Sequence, residues 1–276
     1  MAIGFCISDD GRRLGWAEVL AVSFLDRFML KDKIAVVTGG ARGIGRECAL
    51  AMAEMGADIA ILDLLDASRT VDEVLRRGRK AISFQIDVRK EQEVDRAFDE
   101  ICEKLGPVNV VFSNAGVAYC ENCEKMSFSD WKNVVSTNLN GNFLVTRAAG
   151  RKMIAARQGG SIILTASMSG FVVNYPQNQV AYNASKAGVV QLTRSLACEW
   201  ARYGIRVNCI SPGYILTEMT PPTTKKEWMD AWISRLPMQR IGTADELCGA
   251  VIYLASEASS YTTGCNLVVD GGYSCY

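Results

Sequence analysis

Between Lys33 and Gly45 the chain passes from a short apolar run, KIAVVT over residues 33–38, through a glycine-punctuated loop into a helical pattern. An apolar run of that length, rich in Val and Ile, suits a strand buried on both faces of a parallel sheet. Further strands are predicted at Asp58–Asp63, Lys80–Asp87, Asn109–Ser113, Ser161–Ala166, Ile205–Ile210 and Asn266–Val269. Helical patterns fall between them, over about Ile44–Met55, Ala67–Arg77, Glu91–Lys104, Ser129–Ala156, a stretch beginning near Tyr182, and Ala244–Ala255. Strict alternation of strand and helix implies an α/β fold with helices on both faces of the sheet. Right-handed crossovers make a doubly wound parallel sheet the simplest arrangement. Residues 31–276 are read as a single domain and residues 1–30 as an N-terminal extension of unassigned role.

The glycines of the loop, Gly39, Gly43 and Gly45, are spaced G-x-x-x-G-x-G between the first strand and the first helix. Glycines there permit a tight turn and close approach of backbone to a pyrophosphate, which a helix N-terminus attracts. This placement points to dinucleotide binding. Asp63 ends the second strand, the position that faces an adenosine ribose in a doubly wound fold. A strand-ending Asp that caps the next helix is the competing reading.

Tyr182 and Lys186 are four residues apart. Ala184, Ala187, Val190, Leu192, Leu196, Ala197 and Trp200 form a stripe at helical spacing, so the pair shares one helix face. A cation one turn from a tyrosine favours the phenolate and brings a proton donor and acceptor toward neutral pH. A surface Tyr and Lys on an amphipathic helix is the bland alternative.

Composition excludes several classes. The chain has no histidine, which removes Ser-His-Asp and Cys-His mechanisms. Its 10 cysteines include a single C-x-x-C, Cys120 to Cys123, and no zinc-like array, so no metal site is assigned. Scattered reduced thiols are expected, in a cytoplasmic protein. Lys+Arg 30 balances Asp+Glu 30, which argues against a nucleic-acid partner. No apolar run is long enough to span a membrane. Arg12 and Arg13 precede a short apolar stretch, but Glu18 interrupts it, so no signal peptide is read there.

Taken in order, Thr38–Gly45, Asp87-Val88, Asn114–Gly116, Asn138, Ser167, Tyr182 with Lys186, and Pro212-Gly213 resemble the short-chain dehydrogenase/reductase family over residues 31–276. The resemblance implies that Tyr182 is the general acid/base and that Lys186 lowers its pKa and binds the nicotinamide ribose. It implies that Ser167 orients the substrate oxygen, and that Asn138 holds a water relaying protons through Lys186. Asp87 and Val88 would hold the adenine, while Asn114 and Gly116 would line the cofactor. Arg42 and Ile44 of the glycine loop, Ile215 and Thr217 would also touch the cofactor. Arg147 would lie near it, although a basic residue on a long helix also reads as structural.

Two segments, Ser167–Gln177 and Ala258–Gly264, resemble members acting on sugar alcohols and ketoses of the arabinitol, galactitol and sorbose type. A hydroxyl-rich substrate would need polar partners, and Asn174 is the first choice, with Gln177 or Gln179 second; Asn178 reads as solvated. The expected activity is interconversion of a secondary alcohol and a ketone with NAD(P), by direct hydride transfer. NAD is expected over NADP because Asp63 would repel a 2′-phosphate, while Arg42 argues the other way. The alternatives are a reductase of a bulkier natural-product ketone and a non-catalytic dinucleotide sensor; the substrate loop 218–240, carrying Trp228 and Trp232, would decide between ketone classes. The resemblance further implies a small-molecule substrate and a homotetramer or homodimer. Some relatives bind a divalent ion at a neighbouring C-terminus.

Overall fold

The apolar runs found in the sequence form a single seven-stranded parallel sheet in a computed structural model that describes residues 6–7, 13–14, 23–218 and 225–276. Most of the predicted extension 1–30, and residues 219–224 of the substrate loop, lie outside the described residues. The strands are β1 Ile34–Thr38, β2 Asp58–Asp63, β3 Ala81–Gln85, β4 Val110–Ser113, β5 Gly160–Thr165, β6 Ile205–Pro212 and β7 Asn266–Val269. Their order across the sheet is β7-β6-β5-β4-β1-β2-β3. The order reverses at β1, which pairs with β2 on one side and β4 on the other. Crevices at such a switch point lie beyond the carboxyl ends of the strands.

Alternate residues of β1 serve opposite faces. Ile34 and Val36 pack into one core with Phe98 and Ile101 of α3 (Glu91–Lys104). Ala35 and Val37 pack into the other with Cys48 and Met52 of α1 (Gly43–Glu54). Helix α2 (Ser68–Arg76) packs at the edge of this second core through Val74. Complete burial of side chains such as Phe98 or Met52 stabilises by about 1.5–3 kcal/mol each. Period two within the strands and helical period outside them therefore place both layers.

The helix expected over 129–156 differs from a regular one. It consists of α4 (Phe128–Val135), a π-helical turn at Ser136–Asn140 and α5 (Gly141–Ala156). The widened turn carries Asn138, which is fully buried. Such turns often mark functional positions. Helix α6 (Val180–Trp200) bears Tyr182 and Lys186, as its apolar stripe predicts. Helix α7 (Lys226–Arg235) follows, and the last helical stretch opens as a 3₁₀ turn, Ala244–Leu247, before α8 (Cys248–Ala255). A smaller apolar cluster of Met168, Tyr214, Trp232, Leu236, Ile241 and Tyr273 sits apart from the two main cores.

Candidate active site

The carboxyl ends of β1, β2, β4, β5 and β6 open onto a cleft of about 600 Å³. The glycine loop forms one end of it. Gly39 and Gly43 have φ of +68° and +54°, left-handed values that suit glycine. A Cβ at Gly45 would stand 2.1 Å from the Gly39 carbonyl oxygen, so no side chain fits there. Residue 42 gives α1 no side-chain cap, which leaves the helix N-terminus to a ligand. The Glu218 carboxylate lies close by, 3.3 Å from where a Cβ of Gly43 would be. An anion is thus already drawn to this place, and the loop fits a pyrophosphate.

Asp63 lines the cleft with Arg42 and Ile44. Its Oδ2 accepts from the Ala41 N–H at 2.9 Å and its Oδ1 from the Leu65 N–H at 2.9 Å. Asp63 does not cap the next helix, whose N-cap is Ala67; it braces the glycine loop and also faces the cleft. Asp87 and Val88 line the same end. Arg89 hydrogen-bonds the Asp87 carboxylate and holds it below the usual carboxylate range. Asn114 bridges strands, donating to the carbonyls of Thr38 and Gly39 at 3.3 Å and accepting from Thr165 Oγ1 at 3.2 Å. Gly116 and, at the far wall, Ile215 and Thr217 also line the cleft.

Ser167 follows β5 and lies beside the Tyr182 hydroxyl. Lys186 Nζ donates to the Thr165 carbonyl at 2.6 Å and lies 5.5 Å from the centre of the Tyr182 ring. Burial holds the Tyr182 hydroxyl above its ordinary pKa, offset in part by Ser167. The causes are burial, Ser167 and Cys120, and Lys186 is not among them. Burial lowers Lys186 too, to about 8, and its hydrogen bond goes to Thr165.

Asn138 is near this set but differently engaged. Its Oδ1 accepts from the Val117 N–H at 2.8 Å, and its Nδ2 donates to the Val117 carbonyl and to Ser185 Oγ. Its carbonyl accepts from Asn142 Nδ2 at 2.6 Å. The side chain thus fixes the segment after β4 against α6. Arg147 is not brought to the cleft. It pairs with Glu91 and Asp95 of α3 and lies over the Phe143 ring, so the structural alternative for this residue holds.

The amides are buried rather than solvated. Asn174, Gln177 and Gln179 all line the cleft, while Asn178 is exposed and bonded to Asn122. Sequence reasoning missed what buries them. Tyr214 and Trp232 stack at 4.2 Å with an interplanar angle of 11°, and with Trp228 they form an aromatic wall. The signals were a tyrosine directly after Pro212-Gly213, and two tryptophans one helical turn apart. Ser169 and Cys120 also line the cleft.

Comparison with known proteins agrees with this geometry. The family model described as enoyl-(acyl carrier protein) reductase matches residues 39–274. The chain is 41% identical over 266 residues to sorbose reductase SOU1 of Candida albicans, covering 94% of this chain and 93% of that one. It is 42% identical over 257 residues to an NADP-dependent mannitol dehydrogenase of Hypocrea jecorina, covering 91% and 95%. A crystal structure of a short-chain type dehydrogenase/reductase from Mycobacterium marinum superposes with a TM-score of 0.89 at 40% identity, over 92% of this chain and 100% of that one. The chain belongs to the short-chain dehydrogenase/reductase family, NAD(P)-dependent oxidoreductases acting on CH–OH groups.

Proposed function

We propose that the protein interconverts a polyol and its ketose, with Tyr182 as general acid/base. The observation that carries the chemistry is the group of buried Ser167 and Lys186 with half-buried Tyr182 in the cleft, beside a loop suited to a dinucleotide. A bound nicotinamide dinucleotide would supply the hydride acceptor or donor. The glycine loop and the start of α1 would hold its pyrophosphate, Asp63 a ribose, Asp87 and Val88 the adenine. Asn114, Gly116, Lys186, Ile215 and Thr217 would serve the nicotinamide half.

In the oxidation direction Tyr182 takes the proton of the substrate hydroxyl, and in reduction it returns one. The Ser167 hydroxyl, its oxygen held by the Ser169 N–H, turns its hydrogen from Ser169 Oγ to the oxygen on which charge develops and stabilises it there. Lys186 contributes a nearby cation. Asn138 acts at one remove, by fixing the Val117 segment and α6 in register.

The polyol assignment is supported by the likeness to relatives named sorbose reductase and mannitol dehydrogenase, and by buried amides on the substrate side of the cleft. The aromatic wall of Tyr214, Trp228 and Trp232 favours the second reading, a bulkier ketone. NAD is assigned as the preferred cofactor on Asp63; Arg42, and a relative named as NADP-dependent, weigh toward NADP. A cytoplasmic location is supported by the free thiols of the described residues. Among those residues no helix is long and apolar enough to cross a membrane. The exposed Phe128 and Phe143, on α4 and α5, support a homodimer or homotetramer.

The test is a panel of pentitols, hexitols, their ketoses, cyclohexanol and a bulky bicyclic ketone, each with both cofactors. We expect kcat/KM for at least one polyol or ketose to exceed the others by about 10-fold or more, as a site built for hydroxyls discriminates strongly. Turnover confined to the bulky ketone would replace the polyol reading with the second one.

A further inference from the structure

A line of hydrogen bonds between buried side chains joins the aromatic wall to the catalytic hydroxyls. Trp232 Nε1 donates to Gln177 Oε1 at 2.9 Å. Gln177 Nε2 and Asn174 Nδ2 each donate to the Tyr214 hydroxyl at 3.2 Å. Gln179 Nε2 donates to Asn174 Oδ1 at 2.9 Å and to Ser169 Oγ at 3.3 Å. The Ser169 N–H donates to Ser167 Oγ at 3.1 Å, and the Ser167 hydroxyl donates to Ser169 Oγ at 3.1 Å. Ser167 reaches Tyr182. Among the described residues no other side chain bridges Asn174 and Ser169, so Gln179 is the joint between the two halves of the line.

We propose that Gln179 is a positioning residue that fixes Ser167, through Ser169, in register with the Tyr214–Trp232 wall on which the substrate rests. The proposal rests on the catalytic roles given above to Ser167 and Tyr182. The amide of Gln179 is oriented by the groups around it. Its two hydrogens face three oxygens, Ser169 Oγ, Asn174 Oδ1 and, at 3.0 Å, Asn183 Oδ1. A flipped amide would set its own carbonyl oxygen against those of Asn174 and Asn183. Its position is therefore determined, and every group around it is buried or half-buried, where an unpaired polar atom is costly. Removing the amide frees the Ser169 hydroxyl to rotate, and Ser167 loses a fixed neighbour. Reacting groups displaced by as little as about 1 Å can lose about 100-fold in rate.

The experiment is a double-mutant cycle of Gln179→Met and Ser169→Ala in the full chain with cofactor. It is run on any secondary alcohol that is turned over, cyclohexanol included, so that it does not depend on the polyol assignment. Gln179→Met keeps the side-chain length and drops the amide; Gln179→Leu is the second variant should the first not fold. We expect kcat to fall about 10- to 100-fold in each single variant, with the cofactor Kd changed less than about 2-fold. The double variant should lose no more than the worse single one, because both cut the same link. A normal kcat with a raised substrate KM would overturn the proposal and make Gln179 a direct substrate contact. Losses that multiply in the double variant would overturn it as well. Ser167→Ala separates the levels. If it loses turnover while Gln179→Met does not, only the role of Gln179 falls; if it keeps native turnover, the catalytic reading beneath falls too.

Discussion

Lys186 stands one helical turn from Tyr182, with its ammonium 5.5 Å from the ring centre and its hydrogen bond directed to the Thr165 carbonyl. The two groups are buried together, and burial acts on both: it disfavours the phenolate of Tyr182 and the ammonium of Lys186. At neutral pH Tyr182 therefore keeps its proton and Lys186, with a pKa of about 8, remains a cation.

A pH effect on stability follows from Lys186. Its pKa in the fold is about 8, below its ordinary 10.5. Between those values the unfolded chain holds the proton and the folded chain has released it, so stability rises with pH across that window. Below pH 8 both states are protonated, and the cost of the buried cation is constant. We expect the native protein to gain roughly 3 kcal/mol over Lys186→Met between pH 8 and 10.5 in denaturant unfolding without cofactor. A difference that does not move with pH would refute this. Lys186→Met should also weaken cofactor binding and turnover.

Gly45→Ala and Gly43→Ala should differ sharply. A Cβ at Gly45 would meet the Gly39 carbonyl oxygen at 2.1 Å and Asn114 Nδ2 at 2.7 Å. The loop cannot keep its shape, and we expect a loss above about 2 kcal/mol with cofactor affinity down more than about 10-fold. At Gly43 the nearest group is the flexible Glu218 side chain, and the strain of φ +54° costs about 1–2 kcal/mol. Thermal unfolding and cofactor titration of both variants check the order; equal effects would contradict it.

Much of this is legible in the sequence. Residues 33–38, 58–63 and 205–210 are short, mostly apolar runs rich in Ile and Val, as a buried strand needs, and Gly39, Gly43 and Gly45 fall where a strand turns into a helix. Ser167, Tyr182 and Lys186 converge as their places at the end of β5 and the start of α6 require. The rest depended on long-range packing. Asn174 and Gln177 look like loop amides until Tyr214 and Trp232, some 40 and 55 residues along the chain, close over them. The π-helical turn at Ser136–Asn140 has no periodic signature, so the engagement of Asn138 with Val117 could not be seen. Arg147 faces α3 because Glu91 and Asp95 are there, which only the packing of α3 on α5 reveals.

Cofactor choice should move with Asp63. We expect Asp63→Ser to raise the ratio of kcat/KM for NADP over NAD about 10-fold or more, since a charge-assisted hydrogen bond is worth about 1.5–3 kcal/mol. Serine keeps one oxygen for the Ala41 or Leu65 N–H that Asp63 now serves. Arg42→Ala should lower the same ratio. An unchanged ratio in Asp63→Ser would leave Asp63 as a brace of the glycine loop alone.

The acid/base role of Tyr182 is tested most directly by Tyr182→Phe, with turnover and cofactor binding measured on the same preparation. The phenylalanine ring keeps the packing on α6 and removes the transferable proton. We expect turnover to fall about 10²- to 10⁴-fold in both directions. The cofactor Kd should stay within about 2-fold, because the glycine loop, Asp63 and Lys186 are untouched. Near-native turnover in Tyr182→Phe would contradict the mechanism at its centre.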